Sequence, residues 1–114
     1  MREFVKTMKA LSDPNRVKMV KLLQCRVLCV GGIKEALGLS QLTTSKHLKI
    51  LEEADLITRS KDGLWVNYQL SDGARNPYAS SLLGNLRHWL GEDAEVATLV
   101  SRLPEIRREI VRGT

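Results

Sequence analysis

Apolar residues recur every three to four positions along most of the chain, the mark of helices laid against a core, and give way to alternation only once. Phe4, Val5, Met8 and Leu11 share one stripe, so an amphipathic helix is predicted over Arg2 to Leu11 with Lys6 and Lys9 on its wet side. Asp13-Pro14 follows. Aspartate accepts from the free amides that open a helix and proline suits the first helical position, so a second helix is predicted through Val17, Val20 and Leu23, stopping near Gln24. The apolar stretch Cys25 to Gly32 ends in a pair of glycines and predicts a turn into a third helix over Ile33 to Leu37, closed by Gly38.

Ser40 then stands as an N-cap before QLTTSKHLKILEEA, which lacks Gly and Pro and is long enough for about four turns. On a helical wheel Thr44, His47, Leu48 and Leu51 share one face, and Leu42, Ser45, Lys46 and Lys49 the other. The alternating segments LITRS and LWVNYQL flank Lys61-Asp62-Gly63, and Asp-Gly is a hairpin signal, so a two-stranded ribbon is expected. Pro77 opens a helix bearing Leu82, Leu83, Leu86, Trp89 and Leu90 that should end at Gly91. Val96, Leu99, Val100 and Leu103 predict another helix, broken by Pro104 before a short charged tail helix through Ile110. The expected fold class is mainly α with a two-stranded β-hairpin, as a single domain over residues 1–114.

Composition narrows the function. No apolar run approaches the roughly 18 residues of a membrane span, and the N-terminus lacks the pattern of a signal peptide, so a soluble cytoplasmic protein is expected. The net charge of +5 is polarised: residues 1–61 hold 12 Lys or Arg against 6 Asp or Glu, whereas residues 62–114 hold 6 against 7. A polyanionic partner fits this asymmetry. With five aromatics in the chain, base-stacking binders of single strands are disfavoured, and double-stranded DNA is the more natural polyanion. No Gly-rich phosphate loop or Ser/His/Asp set occurs, which excludes the common enzyme classes. A protein-interaction module without DNA binding is the other class, but it has no need of a basic, capped helix followed by a hairpin.

Helix, four-residue turn, capped helix with a basic outer face and then a hairpin is the order of a winged helix-turn-helix. The stretches KALSDPNRVKMVKLL, LCVGGIKEALGLSQLTTSKHLKILEEADLI and GLWVNYQL, spanning about residues 6–70, resemble the ArsR/SmtB family of small bacterial metal-responsive repressors. The resemblance implies a homodimer joined by its first and C-terminal helices, bound to operator DNA and released by an inducer. The candidate dimer residues are Phe4, Val5, Met8, Leu82, Leu86 and Trp89. The candidate DNA contacts are Gln41, Leu42, Thr43, Ser45 and Lys46 in the first turns after Ser40, joined by Arg59 and Lys61 on the hairpin. His47, on the inner face with Leu48 and Leu51, is expected to be a hydrogen-bonded core histidine.

Cys25 and Cys29 are the two cysteines, and on a helix their spacing would set both thiols on one side. Thiolates favour soft ions, which makes As(III), Sb(III) or Cd(II) candidate inducers and leaves no obligatory cofactor. Metalloid-sensing members of the family carry Cys-Val-Cys where this chain reads Cys29-Val30-Gly31, so one thiol of that motif is kept. A thiol-redox or sulfur-species response is the alternative. The family's zinc site across the C-terminal helices finds only Asp72 and His88 here, too few for tetrahedral zinc.

Overall fold

The computed structural model describes residues 1–106. Its elements run α1 (Arg2–Ala10), α2 (Pro14–Cys25), β1 (Leu28–Cys29), α3 (Val30–Leu37), α4 (Gln41–Glu53), β2 (Ile57–Asp62), β3 (Trp65–Leu70), α5 (Pro77–Leu86), α6 (Ala94–Ser101) and a 3-10 turn (Leu103–Glu105). The core is built where their apolar stripes converge: Met19, Val20 and Leu22 of α2, Leu28, Ile33, Leu48, Leu51, Leu56 and Ile57 are all almost fully excluded from solvent. Removing these side chains from water is the main term that holds the helices together.

The helix starts follow their caps. Asp13 Oδ1 accepts from Asn15 N at 2.8 Å and Arg16 N at 3.2 Å, and Ser40 Oγ accepts from Thr43 N at 3.1 Å. Asn76, buried ahead of Pro77, caps α5 by accepting from Tyr78 N and Ala79 N. Its amide nitrogen donates to Thr7 Oγ1 at 2.8 Å and to Ala54 O at 3.0 Å, so one side chain joins α1, the end of α4 and the start of α5.

Several boundaries differ from the sequence expectation. The turn between α3 and α4 has three residues, 38–40, not four, because Gly38 adopts a left-handed φ of 68° and reverses the chain at once. The stretch before α3 is not simply a turn. Leu28 pairs with Tyr68 and Cys29 with Asn67, which adds a short strand to the ribbon and makes a three-stranded antiparallel sheet of order β1-β3-β2. That pairing releases the chain straight into helix at Val30, so α3 takes in both glycines. The hairpin loop is Gly63-Leu64, one residue later than predicted, with Gly63 at φ 65° in the first loop position.

Helix α5 ends at Leu86 instead of Gly91, and Trp89 and Leu90 lie beyond it. The buried ammonium of Lys21 accounts for this end, donating to Leu86 O at 2.6 Å and Trp89 O at 2.9 Å. A cation is well placed at the carbonyls that close a helix. Leu103 belongs to the 3-10 turn with Pro104 and not to α6, and the expected tail helix lies outside the described residues.

Candidate nucleic-acid interface

Helix α4 is held from behind and open in front. Thr44, Leu48 and Leu51 are buried, while Gln41, Leu42, Thr43, Ser45, Lys46 and Lys49 are exposed, as the two-faced wheel predicts. The buried hydroxyl on the inner face is satisfied within the helix itself, since Thr44 Oγ1 donates to Ser40 O one turn back at 2.8 Å. The five candidate residues of the first turns therefore share one solvent-facing surface. Leu42 is the most exposed of its apolar neighbours on α4, at 66%.

The hairpin stands beside this surface. A groove of about 540 Å³ runs between α4 and the strands, lined by Ser45, Lys49, Glu52, Glu53, Arg59 and Tyr68. Arg59 lies near the base of the hairpin, where its Nε is 3.3 Å from Glu52 Oε2, and Lys61 lies closer to the tip. The two hairpin cations are thus unequal: the charge of Arg59 is partly spent on its own chain, whereas Lys61 has no ion pair among the described residues. Helical spacing places Lys49 on the reading side but assigns it no contact, and nothing in the sequence marks Glu52 as the partner of Arg59. His47 is half-buried, with Nδ1 3.1 Å from Arg16 Nη1.

The cysteines do not have the helical arrangement assumed for them. Cys25 is the last residue of α2 and exposed, with its Sγ 3.5 Å from Lys21 O. Cys29 is buried in β1 and is the N-cap residue of α3. The extended link between them ends the helix that the four-residue spacing required. Asp72 accepts from Ala74 N within its own loop, and His88 is exposed beyond α5. The described residues hold no group of three or more His, Cys, Asp or Glu gathered for a metal ion.

On the candidate dimer surface, Phe4, Val5 and Met8 of α1 are exposed. The Phe4 ring meets Tyr78 of α5 edge-on, with centroids 5.2 Å apart. Leu82 is half-buried and Trp89 exposed, whereas Leu86 packs into the chain's own core.

A capped helix presented after a tight turn, buttressed by α2 and α3 and flanked by a hairpin, defines a winged helix-turn-helix protein. The family model described as bacterial regulatory protein, arsR family, matches residues 13–59. The arsenical resistance operon repressor of Bacillus subtilis is 37% identical over 84 residues, covering 73% of this chain and 80% of the relative. The chain belongs to the arsR family, and is a transcriptional regulator rather than an enzyme. Among solved structures, HlyU from Vibrio cholerae is 27% identical with a TM-score of 0.64, covering 75% of this chain and 89% of that one. A homodimeric winged helix-turn-helix DNA-binding domain from Mycobacterium bovis shares the fold at 21% identity and a TM-score of 0.66, covering 82% of this chain and 83% of that one.

Proposed function

We propose that the protein is a homodimeric repressor that reads a pseudo-palindromic operator with α4 and the hairpin. The observation that carries this is the outer face of α4, where Gln41, Leu42, Thr43, Ser45 and Lys46 are exposed together on a helix whose other face is locked into the core. Gln and Lys offer hydrogen bonds suited to adenine and guanine, and Leu42 an apolar contact for a thymine methyl. Lys61 and, less freely, Arg59 supply phosphate contacts. The homodimer is supported by the exposed apolar stripe of α1, with Phe4 against Tyr78, by the exposed Trp89, and by the homodimeric state of the Mycobacterium bovis domain. A two-fold dimer sets its reading helices about 34 Å apart, matching half-sites one turn of DNA from each other. Gel shifts on a duplex selected from random sequence by the protein, repeated at several salt concentrations, test this. Selective binding that weakens with salt is expected, and binding no tighter than to scrambled DNA refutes it.

The effector part of the proposal is that a soft metalloid, arsenite first, releases the protein from DNA through Cys29 with the help of Cys25. It is supported by the relatives named arsenical resistance operon repressor and by the place of Cys29 at the head of α3, the helix that backs α4. With two thiols per chain, a trigonal site draws its third sulfur from the second subunit. The exposure of Cys25 favours oxidants or sulfur species as a second reading. Titrating arsenite, cadmium and a mild oxidant against the DNA complex, in wild type, Cys29→Ser and Cys25→Ser, separates the two. If no agent releases the wild type, or both variants respond like it, the thiols are not the sensor.

A further inference from the structure

Arg16 makes three hydrogen bonds to three neutral acceptors. Its Nε donates to Ala10 O at 2.7 Å and its Nη2 to Lys9 O at 3.3 Å, which are carbonyls at the end of α1. Its Nη1 lies 3.1 Å from His47 Nδ1 on α4. A guanidinium has no acceptor, so the imidazole must accept, which requires the neutral ring with its proton on Nε2. One rigid, planar fork on α2 therefore spans the end of the dimer-directed helix and the middle of the reading helix. His47 is one turn from Thr43 and adjacent to Lys46, both on the outer face of α4.

We propose that Arg16 and His47 form the positioning contact that sets α4 against α1 for DNA reading, and that this contact holds only while His47 is neutral. The inference rests on α4 being the reading helix. Protonation places a hydrogen on Nδ1, so two donors and two positive charges then face each other and the contact opens. The surroundings do not offset that charge. Arg2, Lys6 and Lys9 of α1 and Glu53 of α4 line one groove with Arg16, Asp13 at the cap of α2 accepts from the Arg16 amide, and Lys46 is the chain neighbour of His47, so cations outnumber these two carboxylates. Lys34 and Glu35 of α3 are exposed to solvent, and Arg59 of β2 is paired with Glu52. With the fork open, the middle of α4 loses its polar tie to α2 and the end of α1 and keeps only the Asn76 link at its far end, which lowers discrimination between sequences more than it lowers attraction to phosphates.

The test uses the full chain with the selected duplex and a scrambled duplex of equal length. His47→Leu removes the acceptor, Arg16→Lys keeps the charge without the fork, and His47→Gln keeps a side-chain acceptor that does not protonate. His47→Leu and Arg16→Lys are expected to lose about tenfold in affinity for the selected duplex while scrambled-duplex affinity stays within about twofold. On acidification, selected-duplex affinity should fall in wild type and in the His88→Gln control, but stay flat in His47→Gln. A merely structural contact lowers the melting temperature and leaves the selected-to-scrambled ratio unchanged, and that result overturns the proposal. So does an identical pH profile in wild type and His47→Gln, a measurement that stands even where the leucine variant fails to fold. A wild type that selects no duplex at all overturns the assignment of α4 itself, which separates that failure from failure of the contact alone.

Discussion

Asp55 sits just past α4 at φ 60°, with its own amide bonded to Glu52 O and the next amide, of Leu56, bonded to Leu51 O. This is the double closure that glycine most often serves, and a residue with a β-carbon is strained there. Asp55→Gly is expected to stabilise the protein by up to about 1 kcal/mol, read as a higher urea midpoint at unchanged slope. On the DNA side, Gln41→Ala should relax preference at one base pair by about 1 to 3 kcal/mol, whereas Lys61→Ala should weaken all duplexes alike and reduce the salt slope by about 1. Competition assays with singly substituted duplexes distinguish the two patterns. At this scale the sequence was legible where a residue acts on its immediate neighbours. Asp13 and Ser40 announce the caps they make, because the amides they bind are two or three residues away. The long-range bonds of Asn76 and Arg16 are not announced, since their partners Thr7, Ala54 and His47 lie 69, 22 and 31 positions off along the chain.

The same distinction governs the elements. Helices α1, α2 and α4 and the hairpin carry their own periodicity and punctuation, and their predicted extents needed little change. Strand β1 has two residues and no period of its own, so only its partners Tyr68 and Asn67 make it a strand. The end of α5 was hidden for a similar reason, because apolar spacing continues through Trp89 while a lysine on α2 takes up the carbonyls. Between the hairpin and α5, Gly73 holds φ 75°, and a β-carbon added there would lie 2.6 Å from Ser80 Cβ and 2.8 Å from Ser80 Cα. Neither atom can swing away. Gly73→Ala should therefore cost roughly 2–4 kcal/mol and loosen the start of α5 from the loop after β3, which a thermal melt with near-ultraviolet dichroism will report.

For the whole molecule, one chain buries a core yet leaves Phe4, Val5, Met8, Trp89 and Leu90 in water, and a second copy is the proposed cover. Met8→Glu changes a side chain 42% exposed in the single chain, so it should leave each chain folded but yield monomers in sedimentation equilibrium at micromolar concentration. Operator affinity should then fall steeply, since each reading head must bind unaided. The ammonium that closes α5 has one more consequence. Lys21 is 7% exposed and shielded by the carbonyls it serves, so an amine-reactive reagent can reach it only when the end of α5 lifts from α2. Its labelling rate, set against that of the surface lysines in the same sample, would be a built-in clock for that opening. A bound duplex or inducer that stiffens or loosens the helices would then change the rate at a single, identifiable position.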